Sequence, residues 1–302
     1  MVKTWMADEL FPMIEPTYLS LEKKLNAHFL HSIGIYRPFF SVEEKNDWEG
    51  RSADKNFNAY IEEIQDKSSI KLDLNDPYGG LILKQAGYLD VPVFLNSSKE
   101  YLARENSYFE SIFQEEELEI LSDSIKWKDY QFRKAIFCNG IAAQDSKLFG
   151  WLPFTPVKGE LMDGKINKSV DTIYNRGVFL VPLANNQVRV GATYQNLFDD
   201  IKPTQKGVNQ LNEKYRTLVN HDLDILETKA GIRPATKDRR PLIGKHPEYE
   251  HIYAFNGFGS KGVSMIPYFS NHFVEYLEGK IPLNEHVNLE RFSFEYREGA
   301  DQ

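Results

Sequence analysis

Residues 256–267 read NGFGSKGVSMIP, and Gly257, Gly259 and Gly262 within them spell G-x-G-x-x-G. The preceding HIYAFN (251–256) has the apolar pattern of a short strand, and VSMIPYFSNHFVEYLEG (263–279) has that of a helix. Strand, glycine turn and helix together match the opening of a nucleotide-binding βαβ unit. Such a unit spans about 30 residues and needs a second strand after its helix, ending in an acidic residue for the ribose. The chain instead continues from the helix as KIPLNEHVNLERFSFEYREGADQ, in which Pro282 and the polar run 284–286 break any β pattern. Pro267 sits early in the helix, where only the first turn tolerates it. The position argues against a pyrophosphate loop, and the glycines need another reason.

The chain has 302 residues, enough for one large or two ordinary domains with a substantial core. It is 41% hydrophobic and 26% charged, an ordinary globular composition. A formal charge of −8 argues against a nucleic-acid-binding surface, which is normally basic. One cysteine, Cys138 in AIFCNG, cannot form an internal disulfide, which points to a reducing compartment. A buried structural thiol is the expected state of that residue. The N-terminal MVKTWMADELFPMIEP lacks an apolar signal-peptide core, and no run approaches 18 uncharged apolar residues. A cytoplasmic protein without a membrane span is expected.

Leu10, Ile14, Tyr18, Leu21 and Leu25 recur at helical spacing, so the first 27 residues are expected to be mainly helix, with an interrupted start at Pro12 and Pro16. GIYRPFFS (34–41) reads as a strand and DVPVFLNSSKEYLAREN (90–106) as a helix. SIKWKDYQFRKAIFCNG (124–140) alternates, then turns continuously apolar, which predicts an outer strand, a turn and a strand buried on both faces. GVFLVPL and QVRVGATYQ flank Ala184, Asn185 and Asn186, a hairpin turn favoured because asparagine tolerates positive φ. Val188, Val190, Ala192 and Tyr194 would then share one face. A helix at 205–219 carries Val208, Leu211, Tyr215 and Leu218 as its stripe. Parallel-type elements lie toward both ends of the chain and antiparallel strands in the middle, so the chain is expected to pass more than once through two domains.

The residue types at candidate sites admit bland readings as well as functional ones. Arg233 lies between Gly231-Ile232 and Pro234 and could clamp a carboxylate through two parallel N–H bonds; a surface ion pair is the alternative. Lys237, Arg239, Arg240 and Lys245 nearby read as a solvated basic face, with a phosphate site as the second possibility. His28 and His31 form H-x-x-H, but no carboxylate or cysteine set completes a metal site, and a helix end accounts for them. Glu115–Glu117 read as a solvated loop or strand end. Tyr174, Tyr194, Tyr253 and Tyr268 could face a ligand, though tyrosines are more often core residues with a bonded hydroxyl.

The order of the motifs is more specific than any one of them. CNGIAA, PVKGELM (156–162), VPLANNQVRVGATY (181–194), GIRPATKDRRPLIG (231–244) and YAFNGFGSKGVSMIP (253–267) follow one another as in the D-amino-acid oxidase, glycine oxidase and sarcosine oxidase family of FAD-dependent amine oxidoreductases, which the chain resembles over most of its length. The resemblance implies a mixed α/β fold: a discontinuous, Rossmann-like FAD-binding domain at 1–33, 90–150 and 228–302, and a substrate domain with a large mixed or antiparallel sheet at 34–89 and 151–227. In that setting the glycines belong to a loop that packs against the flavin ring. Backbone can approach the ring where side chains are missing, and the following helix N-terminus stabilises negative charge gathering there.

The resemblance implies cofactor contacts at Gly140, Gly257, Phe258, Gly259, Ser260, Gly262 and Val263, a carboxylate anchor at Arg233, a ring or substrate contact at Lys261, and a pocket position at Tyr194. Phe258 stands where the family often has histidine, and Asn139 where a small residue is usual. The family's opening βαβ unit for the ADP half of FAD has no counterpart in these 302 residues, and VKTWMADELFP resembles the segment after it. A late start or a truncation is therefore expected, with weak or absent FAD binding by this chain alone. The implied reaction oxidises the C–N bond of a small amine or amino acid to an imine by hydride transfer to flavin, and water then hydrolyses the imine. A non-catalytic, partner-binding remnant without flavin and a flavin-dependent RNA-modification domain remain as alternatives. Oligomeric state is not indicated by the sequence.

Overall fold

The computed structural model describes residues 4–66, 72–294 and 296; Val2 and Lys3 of VKTWMADELFP lie outside them. The elements in chain order are α1 (Ala7–Leu25), β1 (Leu30–His31), β2 (Ile35–Pro38), α2 (Val42–Ser52), α3 (Lys55–Asn58), β3 (Ile61–Gln65), β4 (Gly80–Leu83), β5 (Tyr88–Leu89) and α4 (Val91–Arg104). Then come β6 (Leu118–Ile120), β7 (Ile125–Trp127), β8 (Tyr130–Phe132), β9 (Ala135–Phe137), β10 (Val157–Lys165), β11 (Ile173–Asn175), β12 (Phe179–Pro182) and β13 (Gln187–Gly191). The last are α5 (Gln205–Leu218), β14 (Asp224–Arg233), β15 (Leu242–Lys245), β16 (Ile252–Asn256) and α6 (Gly262–Leu277). This is the mixed α/β class expected from the sequence. No described helix is long and apolar enough to cross a membrane.

The chain divides into two compact units: Met1–Ala7, Leu19–Ser97 and Lys158–Gly231 form the first, and Asp8–Tyr18, Ser98–Val157 and Ile232–Gln302 the second. The first unit is built on an eight-stranded mixed sheet in the order β14-β10-β13-β12-β11-β2-β4-β3. The hairpin β12–β13 closes as its sequence requires, with Asn185 and Asn186 both at positive φ (60° and 56°). Met162, Tyr174, Leu180, Val188 and Val190 project from the sheet into one core with Leu211, Tyr215 and Leu218 of α5. The expected face breaks after Val190: β13 ends at Gly191 and Tyr194 is 67% exposed. Tyr174, by contrast, is fully buried in this core.

Two networks of paired charge are buried in this sheet. Asp163 on β10 lies directly opposite Arg189 on β13 and accepts two bonds from its guanidinium, at 2.7 and 2.8 Å, and a third from Lys229 Nζ at 3.0 Å. Burial alone would raise the Asp163 pKa; the bonds and charges of Arg189 and Lys229 outweigh it and hold the carboxyl below its usual range. Glu160 and Lys158, both almost fully buried on the same strand, form a second network. Lys158 Nζ donates to the Lys202 carbonyl at 2.6 Å and lies 3.6 Å from Glu160. Glu160 accepts from the Thr204 backbone N–H and hydroxyl, each at 3.0 Å. Thr204 caps α5, its hydroxyl accepting from the Gly207 N–H.

The second unit holds two three-stranded sheets, β15-β16-β9 and β6-β7-β8. In the first of these, β9 and β16 run parallel, with Ala135, Ile136 and Phe137 beside Ile252, Tyr253 and Ala254. β9 is its outer strand among the described residues, so the expected burial on both faces is corrected: Ile136 is 42% exposed and Cys138 is exposed too. Phe137, Phe149, Leu152, Leu242, Ile252, Ala254 and Leu289 fill the core behind the strands.

Two further expectations need correction. The helix α1 runs through Pro12 and Pro16 without interruption. An interior proline forfeits a backbone bond, but Ala7, Leu10, Tyr18 and Leu25 keep their buried stripe only if the helix continues. His28 and His31 lie beyond the end of α1, and His28 Nδ1 pairs with Glu22 at 2.9 Å. No group of residues able to hold a metal ion occurs among the described residues.

His246 makes a pH prediction for the second unit. It is 2% exposed; its Nδ1 accepts from the Glu248 N–H at 3.1 Å, so its Nε2, 3.0 Å from the Leu148 carbonyl, carries the proton. Burial lowers its pKa. The unfolded chain therefore binds the proton first, and this contribution to stability is complete above about pH 6.5 and lost as pH falls below it. His31 and His272 are also lowered, chiefly by burial, and act in the same direction. Chemical denaturation between pH 7.5 and 5.5 should show stability falling, with His246→Gln making the fall shallower by up to about 1.4 kcal/mol per pH unit. Equal slopes in the two proteins would show that His246 is not buried neutral.

Candidate functional site

The site candidates of the second unit gather at one end of its parallel pair. In sheets of this kind, ligands bind beyond the carboxyl ends of parallel strands. β9 ends at Phe137 and runs through Asn139 into Gly140; β16 ends at Asn256 and runs into Gly257. Both glycines turn in the left-handed region, at φ 57° and 75°, as does Gly259 at 55°. A short 3-10 segment (Gly140–Asp145) and α6 lead away from the two turns.

The glycines divide by what surrounds them. A Cβ on Gly257 would meet Thr236 Cγ2 at 2.9 Å and the Leu242 backbone nitrogen at 3.0 Å, so this glycine is fixed by packing. A Cβ on Gly140 would meet nothing within 4 Å; on Gly259 it would reach Ala235 only at 3.7 Å, and on Gly262 Ile266 at 3.5 Å. Of these three, Gly140 faces open space, while a side chain at Gly259 or Gly262 would meet its neighbours at ordinary contact distance. A flat ligand could approach the backbone closely where side chains are missing.

The loop is tied down on several sides. The Asn256 carboxamide accepts from the Gly257 N–H at 2.7 Å and donates to the Gly140 carbonyl at 2.9 Å. Gly259 N–H donates to the Pro234 carbonyl at 3.2 Å, beside Arg233. Tyr18 donates to the Val263 carbonyl at 2.8 Å, and burial pushes its phenol up to about 12. Phe258 stacks at a tilt on Phe255, 4.8 Å away. Ser260 and Lys261 are exposed, and Lys261 occupies the position before α6 without a side-chain capping bond. The first N–H groups of any helix lack partners within it and carry partial positive charge.

The Arg233 segment is braced from below. Thr155 N–H donates to the Ala235 carbonyl at 2.8 Å, and the Thr236 hydroxyl donates to the Arg240 carbonyl at 2.7 Å. Asp238 accepts from Arg240 N–H at 3.0 Å and Arg291 Nε at 2.9 Å. Burial would raise the Asp238 pKa, but Arg291 and the Arg240 N–H hold it below its usual value. Lys245 pairs with Glu250 at 2.7 Å. Of the basic cluster read from the sequence, Lys245 is thus held in an intramolecular ion pair.

Gly140, Arg233, Gly257, Phe258, Gly259, Ser260, Lys261, Gly262 and Val263 all belong to the second unit, whereas Tyr194 belongs to the first. Sequence reasoning missed Asn256, Thr236, Asp238, Arg291 and Tyr18. Asn256 was visible as the residue before Gly257, but an asparagine before glycine reads as a turn residue. Arg291 and Tyr18 are distant in sequence and carried no local signal.

Comparison with known proteins bears on the fold and the family. Glycine oxidase of Bacillus subtilis is 31% identical over 121 residues; the matched stretch is 38% of this chain and 32% of that protein, so the similarity spans about a third of the curated relative. The crystal structure of glycine oxidase from Geobacillus kaustophilus superposes with a TM-score of 0.77 at 18% identity, over 93% of this chain and 82% of that one. Reduced L-alpha-glycerophosphate oxidase from Mycoplasma pneumoniae, with FAD bound, superposes with a TM-score of 0.67 at 16% identity, over 92% and 84%. These two likenesses are of fold. The sequence profile of the DAO family matches residues 15–276, and the chain is therefore a member of the DAO family of FAD-dependent oxidoreductases.

Proposed function

We propose that the chain is an FAD-dependent oxidoreductase that oxidises the C–N bond of a small amine or amino acid. The observation that carries the reading is the cluster of Gly140, Gly259 and Gly262 beyond the ends of two parallel strands, where an added Cβ would meet nothing within 4 Å at Gly140 and nothing closer than 3.5 Å at the other two. These residues fit the ring end of a flavin. FAD, when bound, supplies the acceptor for two electrons. The residues of the chain bind and orient. The start of α6 would offer its N–H groups and partial positive charge to a flavin ring held at the glycine loop, favouring the reduced, negatively charged form. Arg233, held between Gly231-Ile232 and Pro234, is the candidate anchor for a substrate carboxylate. Lys261 adds a positive charge beside the loop.

Two parallel strand pairs among the described residues are β2–β11 and β9–β16. Neither belongs to a βαβ unit of roughly 30 residues, the kind that seats a pyrophosphate. FAD affinity of these 302 residues is therefore expected to be weak and is best read at equilibrium. Titration of FAD with the purified chain should quench flavin fluorescence saturably, and adding small amino acids without oxygen should bleach the visible flavin bands of the mixture. Absence of any saturable quenching would overturn the proposal.

A further inference from the structure

We propose that Asn256 is the positioning residue of the site: its carboxamide sets the spacing of the two glycine turns and so the shape of the surface between them. The inference rests on the flavin reading for its functional consequence, but its structural content stands alone. The ladder between β9 and β16 ends at the pair Phe137–Ala254. Beyond that pair the strands must separate into two turns, and backbone pairing no longer fixes their distance. Asn256 bridges them there, with its side chain taking the place of the missing rung.

The bridge demands this residue type. On one flank the Gly257 N–H can only donate, so it must face Oδ1, at 2.7 Å. On the other flank the Gly140 carbonyl can only accept, so it must face Nδ2, at 2.9 Å, and Asn139 Oδ1 takes the second Nδ2 proton at 3.3 Å. Both flanks agree on one orientation of the amide. The side chain is 4% exposed, so water does not readily replace a lost bond. An aspartate would keep the acceptor, lose the donor and place a negative charge against the Gly140 carbonyl. A protonated aspartic acid regains a donor.

The test compares the full chain with Asn256→Ala and Asn256→Asp by amide hydrogen exchange and by FAD titration. At pH 8, both variants should exchange at least about tenfold faster over 137–143 and 256–262, while the amides of β10, β13 and α5 stay at wild-type rates. FAD should bind at least about tenfold more weakly to both, a loss equivalent to one unsatisfied buried group. At pH 5.5, Asn256→Asp should recover part of its affinity relative to wild type measured at the same pH, and Asn256→Ala should not. Unchanged exchange over 137–143 in both variants overturns the inference, as does undiminished FAD affinity in variants of a chain that binds FAD. If the wild-type chain takes up no FAD, the flavin reading fails by itself, and the exchange data still decide whether Asn256 couples the turns. If Asn256→Ala fails to fold, Asn256→Asp and its pH dependence carry the test.

Discussion

Gly207→Ala is expected to destabilise the protein by at least about 3 kcal/mol, against the direction that helix propensity suggests. In an exposed helix the same change stabilises by about 1 kcal/mol. Here the added Cβ would fall 2.5 Å from Glu160 Cδ and inside contact distance of its Oε2. Glu160 is 1% exposed and is held by Thr204 and the neighbouring Lys158, so it cannot swing aside into solvent. Overpacking alone costs about 1–3 kcal/mol, and separating a buried charge from its partners adds about 3–5 when the pair is broken outright. Thermal unfolding followed by circular dichroism should drop by roughly 10 °C. Combining Gly207→Ala with Glu160→Ala should cost less than the sum of the two single changes, because the clash and the cap share one carboxylate. An unchanged or higher midpoint in Gly207→Ala would show that α5 tolerates a side chain facing Glu160.

Gly259→Leu is expected to separate binding from folding. A leucine at φ 55° costs about 1–2 kcal/mol of backbone strain, and its Cβ finds only ordinary contact with Ala235. The fold should therefore survive, with a fall of only a few degrees in the melt. The side chain would occupy the proposed ring surface, and saturable FAD quenching should weaken by at least about 100-fold, as expected when a flat ligand loses its close approach. Gly257→Ala reverses the pattern. Its Cβ meets Thr236 and the Leu242 backbone at 3.0 Å or less, so stability falls first. Wild-type affinity in Gly259→Leu would place the flavin elsewhere.

The contrast between the two glycines marks what the sequence could and could not convey. G-x-G-x-x-G was visible as letters; the absence of a following strand pattern argued against a pyrophosphate loop, and the ring reading came from the family resemblance alone. Which glycine is fixed by packing and which leaves room was not visible, because it depends on Thr236, Leu242 and Ala235 arriving from another segment. Periodicity located α5, the Asn185-Asn186 hairpin and β16, since each carries a local pattern. It failed at Pro12 and Pro16, where the buried stripe of α1 outweighs the local signal. It failed at β9 as well: an apolar run reads as buried on both sides, whereas exposure depends on how many strands flank it. Asn256 escaped notice because its role lies in the two directions of one amide, and those are defined only once Gly140 and Gly257 are neighbours in space.

The exposure of Cys138 carries a practical consequence. It is the only thiol in the chain, and it sits at the end of β9, two residues before the Gly140 turn. The atoms packed around its sulfur push the thiol pKa up by desolvation, so alkylation is slow at neutral pH and faster in mild alkali. A small environment-sensitive dye placed there by maleimide chemistry would label one position, without engineering, at the rim of the proposed ring surface. Its emission would follow occupancy of that surface in real time, by coloured and colourless ligands alike.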